Sequence, residues 1–590
     1  MSARGAGAVV AAGLSAAAFA IGDVATAAVP AGAPTDPGLA AREALASVLA
    51  GNAAPSAEPL PLAVGLACAA GVWLCWARRL SLAGEHRSGE EHGSARWASP
   101  REARAFADRR DPANNIILTR RVSLAMSRAD HDPRFERNRN VLVIGGSGSG
   151  KTRSYVIPNV LQMNASLLVT DPKGTLEAEL GPALRDAGYE VARIDTVDFG
   201  RSARYNPLAY VRTQQDVLEV VDCIIANTTR EGASSADPFW ENAERLLYSA
   251  LVAYLVWHCP EADRNLTGLM TLLSLASASE GDEGYKSPLD VLFDELETGK
   301  RCVAGEEGPR QEGARSFTGG TRVAWVRVAE PLAPKDDFAL GRYRAFRVAA
   351  GRTLKSIIIS CNARLAPLGA EEIRRVLSGD DLGIDLMGEP GRRVAIFATT
   401  SDTNGTFSFL LALLVWQATN LLCERALRVH GGSLPTPVHL VLDEFANIGR
   451  LPDFERTIAV VRSRNIGVSV ILQSLSQLKA RYGESAQTIV DCCDTTLFLG
   501  GNSNETNRGI SEKVGKQTVS VIGASESRGS SSSSTQSRQA AERDLIQPSE
   551  LARLDRRNAI VLIAGADPVM DRKYDPRRHP AWRGGVVAMK

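Results

Sequence analysis

Val141-Leu142-Val143-Ile144-Gly145-Gly146-Ser147-Gly148-Ser149-Gly150-Lys151-Thr152 is the stretch on which the fold turns. Four apolar residues in a row, stopped by a glycine cluster, read as a short buried strand. The next eight residues fit G-x-x-x-x-G-K-[ST]. Glycines let the backbone wrap a phosphate with several N–H groups turned inward. The helix after the loop offers its positive end to the anion. The pattern therefore predicts a nucleoside triphosphate site, for ATP. Gly145, Gly146, Ser147, Gly148, Ser149 and Gly150 form the cradle. Lys151 reaches the β- and γ-phosphates, and the Thr152 hydroxyl ligates Mg2+. A purely structural glycine turn is the other reading, and the flanking strand and helix speak against it.

Outward from this loop, 151–163 reads as a helix. Residues 167–170 read as a second buried strand, ending at Asp171-Pro172-Lys173-Gly174, and Glu190–Asp195 as a third. Strand and helix in alternation predict an α/β fold with a parallel sheet covered on both faces. From about 221 to 391 the periodic stretches are helical, among them 239–257 and 354–368. Residues 279–345 are polar, glycine-rich in places, and carry no clear pattern. The sheet pattern returns at 393–397, so the helical block reads as an insertion. A long helix over 406–430 comes next. Its apolar run 407–416 is too short to cross a membrane and is broken by Gln417, Thr419 and Asn420, so it predicts a buried core helix. Further strands are expected at Val438–Leu442, 468–472, 496–499 and 560–563. Residues 524–538, with serine at every position from 530 to 534, read as a flexible loop.

The second half of the chemistry lies at Val438-His439-Leu440-Val441-Leu442-Asp443-Glu444, a buried strand ending in two carboxylates. An acid at that place holds Mg2+ in P-loop enzymes, and a neighbouring glutamate can polarise the attacking water. We assign Asp443 to Mg2+ and Glu444 to the water. Gln473, directly after the strand at 468–472, either orients water or senses the γ-phosphate, or is only a polar strand end. Asp171 is either a ligand-facing carboxylate or a turn cap. Arg462 and Arg464 lie on a helical stretch, 452–465. Either one reaches a neighbouring subunit's phosphates, or both are solvated.

The amino terminus carries two apolar stretches, 6–29 and 60–77, each near the roughly 20 residues a spanning helix needs. Asp23 alone interrupts the first. Arg4 precedes it, and Arg78, Arg79 and Arg87 come after the second, so both ends are expected in the cytoplasm with 30–59 outside. A cleaved signal peptide over 1–29 is the competing reading. It would leave one span and put the glycine loop outside the cell, where ATP is scarce. The formal net charge is +1, so composition argues neither for nor against nucleic acid. The nine cysteines form no C-x-x-C pair and predict neither zinc site nor disulfides.

Taken in order, these motifs resemble the type IV secretion coupling proteins, the conjugation ATPases. The matching runs are Gly93-Ser94-Ala95-Arg96-Trp97-Ala98, the P-loop with Pro158-Asn159, and Thr170-Asp171-Pro172-Lys173-Gly174. Tyr205-Asn206-Pro207-Leu208 and Asp237-Pro238-Phe239-Trp240 come next. The most specific are Asp443-Glu444-Phe445-Ala446-Asn447-Ile448-Gly449 and Leu472-Gln473-Ser474-Leu475-Ser476-Gln477-Leu478. The resemblance implies a RecA-like P-loop NTPase core with an inserted all-α domain, preceded by two transmembrane helices. The implied parts are a membrane anchor at 1–84, the core at 85–220 and 391–590, and the insertion at 221–390. It implies a homohexamer at the cytoplasmic membrane that recruits a relaxase bound to single-stranded DNA. The hexamer then passes this complex to type IV secretion channel subunits by hydrolysing ATP. Lys151, Thr152, Asp443, Glu444 and Gln473 become its site, and Arg462 falls where the family's trans-acting arginine lies. A coupling ATPase for protein effectors only, and a membrane scaffold that binds nucleotide without turnover, are the alternatives.

Overall fold

A computed structural model describes residues 3–28, 36–52, 54–82, 90–126, 132–229, 238–281, 285–304, 323–327, 333–349, 351–401, 405–527 and 533–582. It divides into two compact units. One is Met1–Ser94 with Thr518–Glu542; the other is Ala95–Gln517 with Arg543–Lys590.

In the smaller unit, the helices Ala3–Ala27 and Pro59–Leu82 contain windows long and apolar enough to cross a membrane. Their flanks leave Val9, Val10, Leu14, Leu60, Leu66 and Leu74 exposed, as a lipid-facing surface would be. The two helices approach closely where small residues allow it. A Cβ on Gly22 would lie 2.9 Å from the Cys68 sulfur, and one on Gly65 would lie 2.9 Å from the Phe19 carbonyl. Asp23 is buried, and its Oδ2 accepts the Ser56 N–H at 2.7 Å. The stretch between these two helices also holds a helix, Pro37–Leu49, which the Pro/Ala/Gly-rich composition conceals. Asp36 caps it and Pro37 opens it. Residues 30–35 and 53, within the expected outside loop, lie outside the described residues.

The strands Lys516–Ser527 and Ser533–Asp544 pair with each other. Most of the stretch expected as a flexible loop, 524–538, is therefore strand, and 528–532 lie outside the described residues. The ladder is made by the backbone, and no proline occurs between 516 and 544 to remove a donor from it.

The larger unit is built on a nine-stranded sheet. In chain order its strands are β1 (Val141–Ile144), β2 (Ser166–Thr170), β3 (Glu190–Asp195), β4 (Val394–Thr399) and β5 (Val438–Leu442). β6 (Ile466–Leu472), β7 (Thr495–Phe498), β8 (Asn558–Ile563) and β9 (Val569–Arg572) complete it. Across the sheet the order is β9-β8-β7-β1-β6-β5-β2-β4-β3. β7 through β3 are all parallel, and β8 and β9 add an antiparallel edge. Eight of these strands coincide with expected ones; the four-residue β9 was not foreseen. Alternate residues of β1 enter opposite layers. Leu142 and Ile144 join one core, Val141 and Val143 the other, as period-two geometry requires.

The helical block sits in the sequence between β3 and β4. It comprises Gln214–Thr228, Pro238–His258, Leu266–Ser274, Pro288–Thr298, Phe338–Phe346, Gly351–Leu365 and Glu371–Leu377. It is not purely α. Lys300–Ala304 and Val323–Arg327 form an antiparallel pair inside 279–345, where β-branched and aromatic residues at Val323, Trp325 and Val326 suit a strand. Its core is continuous with that of one sheet face, since Val217, Leu247 and Ile357 belong to the same apolar cluster as Ile396 and Leu440. The helix Ser408–Arg428 is also long and apolar enough to span a membrane, but two-thirds of its apolar window is buried beneath that face.

Candidate functional site

The parallel strands all point their carboxyl ends the same way, so the turns after β1, β2, β5 and β6 gather at one rim. One strand, β6, separates β1 from β5. The residue just after β6 therefore falls between the P-loop and the Asp443–Glu444 pair, and that residue is Gln473.

The loop after β1 depends on its glycines. Gly148 and Gly150 have φ of +71° and +88°, conformations other residues rarely adopt. A Cβ on Gly145 would collide with Ser149 Oγ and lie 3.1 Å from Leu499 Cβ. Beyond the loop, Pro158 has no N–H and its ring crowds the preceding turn. The chain widens there into a π-helical turn, Thr152–Val156, closed by the Ile157 N–H on the Thr152 carbonyl. Asn159 fastens this turn from outside. Its Oδ1 accepts the Ile117 N–H at 2.7 Å, and its Nδ2 donates to the Ile117 and Tyr155 carbonyls at 2.9 and 2.8 Å.

Five of the expected site residues meet here. Thr152 Oγ1 donates to Asp443 Oδ2 at 2.8 Å. Lys151 Nζ, almost fully buried, donates to the Gly145 carbonyl at 2.9 Å and lies 3.2 Å from Glu444 Oε1. Gln473 Nε2 donates to the other Glu444 oxygen, Oε2, at 3.0 Å. Burial pushes the Asp443 carboxyl up to about 6. The Thr152 hydrogen bond opposes that rise, and the adjacent Glu444 charge adds to it. Thr170 Oγ1 fixes the Asp443 carbonyl at 2.7 Å. Glu444 itself sits at φ +51°, a strained setting for a non-glycine residue, of a kind that clusters at functional sites.

The cradle suits a polyphosphate. Among the described residues the N–H groups of Ser147, Gly148 and Gly150 have no acceptor, and the buried Ser149 hydroxyl has no partner. The Thr152 hydroxyl and the Asp443 carboxylate are oxygen donors of the kind that Mg2+ requires.

Asp171 serves the fold instead. Its buried Oδ2 accepts the Leu176 N–H at 2.6 Å and closes the turn after β2. Burial raises its pKa, opposed by the Leu176, Gly174 and Lys173 amides. Arg464 holds the Gly432 carbonyl at 3.1 Å, a tie between turns. Arg462 lies on the turn Val461–Arg464 that leads into the amino end of β6, half exposed, with Nη2 3.7 Å from Glu136 Oε1. Gln473 lies at the other end of that strand, so roughly 20 Å of sheet separates Arg462 from the P-loop rim of its own chain. Asp237, which begins one of the motif runs, lies outside the described residues.

One residue at the site carries no sequence signal. Lys573, just past β9, donates from Nζ to the Ser149 carbonyl at 2.8 Å and to the Leu499 carbonyl at 2.7 Å. Burial brings its ammonium down to about 8, with Asp555 opposing. It lies 424 positions from Ser149, and no spacing rule connects them.

Comparison with known proteins places this geometry. The family model described as type IV secretory system conjugative DNA transfer matches residues 103–575. A conjugal transfer protein TraG of Rhizobium radiobacter is 23% identical over 438 residues, covering 72% of this chain and 60% of that protein. Protein VirD4 of Rhizobium rhizogenes is 22% identical over 499 residues, covering 82% and 66%. The chain thus spans about three-fifths of the length of the TraG relatives it matches. Among solved structures, the conjugative coupling protein TrwB without its first segment, bound to sulphate, gives a TM-score of 0.55. It is 17% identical and covers 84% of this chain and 99% of that one. TrwB in complex with ADP and Mg2+ gives 0.54, at 17% identity, covering 83% and 99%. At these identities the likeness is one of fold, that of a RecA-like NTPase. The family match, running from the first turns of the larger unit to beyond β9, makes this chain a member of the type IV secretory system conjugative DNA transfer family, a type IV coupling protein.

Proposed function

We propose that this chain is a membrane-anchored, Mg2+-dependent ATPase that brings a relaxase bound to single-stranded DNA to a type IV secretion channel and drives its export. The observation that carries the catalytic part is the convergence on Glu444. Lys151 engages one of its carboxylate oxygens and Gln473 the other, one residue after the buried Asp443. Lys151 and the free amides of the cradle bind the triphosphate. Glu444, fixed at both oxygens, is set to polarise a water, and Gln473 orients it. Thr152 and Asp443 would hold Mg2+, which when bound neutralises charge on the phosphate oxygens.

Arg462 is too far along β6 to act on the phosphates of its own chain. Its exposure at the opposite rim suits a contact with the neighbouring subunit's nucleotide in a homohexamer. The two apolar helices, with Arg78 and Arg79 near the carboxyl end of the second, support an anchor in the cytoplasmic membrane with the larger unit inside. Since the total charge is only +1, DNA contact in this reading falls to a local basic channel.

Glu444→Gln tests the proposal. The variant should bind ATP like the parent, lose hydrolysis and abolish transfer. Unimpaired transfer would identify a scaffold instead. Single-stranded DNA should raise the ATPase rate of the parent in a salt-dependent way. A rate indifferent to DNA, with no binding at low salt, would restrict the cargo to protein.

A further inference from the structure

The carbonyl contacts of Lys573 give residues 145–152 an outside support, and the role inferred for this lysine rests on those residues being a phosphate cradle. The lysine's backbone is pinned on several sides. Its N–H donates to the Arg557 carbonyl at 2.8 Å, and the Arg572 carbonyl accepts the Arg120 N–H at 2.9 Å. The buried Asp571 holds Thr119 Oγ1, the Arg121 N–H and Arg121 Nε at 2.8, 2.9 and 2.9 Å. From this fixed base the side chain runs inward, and its ammonium meets two peptide carbonyls, Ser149 and Leu499. Among the described residues no carboxylate lies within ion-pairing distance of it. A partly buried ammonium is costly unless it is satisfied, and these two carbonyls satisfy it.

Both carbonyls belong to the rim. Leu499 comes directly after β7, and its N–H donates to the Ile144 carbonyl at 2.8 Å, while the next carbonyl, Gly500, accepts the Gly146 N–H at 2.9 Å. Lys573 therefore ties the end of β7 to the middle of the P-loop. Peptide geometry then has a consequence. The Ser149 C=O and the Gly150 N–H share one planar trans unit and point in opposite directions. Drawing the carbonyl toward Lys573 turns the Gly150 N–H the other way, toward the cradle, where it has no acceptor. Gly150, at φ +88°, tolerates that orientation. The opposite orientation would aim a carbonyl oxygen at the phosphates.

We propose that Lys573 is a positioning residue for nucleotide binding, which sets the Ser149–Gly150 peptide so that its N–H, not its carbonyl, faces the triphosphate. The test uses the full chain in detergent with two probes, ADP with Mg2+ and a non-hydrolysable triphosphate, and measures affinity by calorimetry. Lys573→Met keeps the bulk and removes the donors. It should weaken both probes roughly tenfold to a hundredfold, as expected for charge-assisted hydrogen bonds. Amide exchange should quicken at 145–152 while β5 and β6 stay protected. Lys573→Arg, able to reach both carbonyls, should recover most of the affinity. A parent that binds while Lys573→Met binds within about twofold of it overturns this inference and leaves the nucleotide reading intact. A parent that binds neither probe overturns both. Should Lys573→Met fail to fold, Lys573→Gln takes its place, and unweakened binding by that variant overturns the inference equally.

Discussion

Gln473 and Lys151 hold the two carboxylate oxygens of Glu444 from opposite sides, Nε2 at 3.0 Å and Nζ at 3.2 Å. The three residues come from the ends of three different strand–loop units, and β6 carries Gln473 to the gap between β1 and β5. Removing the amide should free the carboxylate without disturbing the cradle. Gln473→Leu is expected to lower the hydrolysis rate roughly tenfold to a hundredfold, the scale of a lost hydrogen bond to a charged group, with nucleotide affinity within about twofold of the parent. Steady-state turnover and equilibrium binding on the same preparation check it.

Gly449 closes the segment that begins at Glu444. Its φ is +111°, and a Cβ there would lie 2.5 Å from Asn227 Oδ1 and 3.1 Å from Ala412 Cβ. Asn227 cannot easily give way, because it accepts the Arg450 N–H at 2.7 Å and donates to the Arg450 carbonyl at 2.8 Å. Gly449→Ala should cost about 1–3 kcal/mol in stability. Gly341, inside the helix Phe338–Phe346 with open space around it, should behave oppositely, and Gly341→Ala should gain about 0.5–1 kcal/mol. Thermal melts of the two variants should shift in opposite directions.

Asn159 satisfies both backbone groups of Ile117 in a buried setting. Asn159→Ala strands a donor and an acceptor away from water. We expect a loss of about 3 kcal/mol, read as a lower melting midpoint, together with looser nucleotide binding, because the π-helical turn behind Lys151 loses its brace.

His439 lies in β5 with Nε2 2.7 Å from Ser469 Oγ, which also meets the Tyr155 hydroxyl at 2.7 Å. Burial first, and then the Arg139 charge, brings the imidazole down to about 4. The folded state holds the ring neutral, whereas the unfolded chain protonates it below about 6.5. Its contribution is therefore complete above that pH and is lost as pH falls toward 4, to a maximum of about 3 kcal/mol. The melting midpoint should drop between pH 7 and 5, and His439→Gln should flatten that part of the drop.

Legibility differed from element to element. β1, β2, β5 and β6 were readable because each is a run of buried apolar residues ending at a recognisable loop. β9 was not. Val569-Met570-Asp571-Arg572 has no apolar run, and its strand state comes from pairing with β8. The serine-rich stretch misled in the other direction, since composition reports on side chains and the ladder there is made by the backbone. The helical block was legible as helices, but its shared core with the sheet was not, because a pattern of apolar positions does not name the surface they pack against.

By itself the sequence determined that a phosphate loop, an acidic strand end and a glutamine strand end exist in this chain, in that order. Those features are local: glycine freedom, strand periodicity and the chemistry of a few side chains suffice for them. Only the tertiary structure decided that Asp171 caps a turn, that Arg462 lies at the opposite end of β6 from its own P-loop, and that Lys573 grips that loop from the far edge of the sheet. Each of these depends on which strands become neighbours and which ends align. That choice is made by burying apolar faces across hundreds of residues, and no short window of sequence contains it.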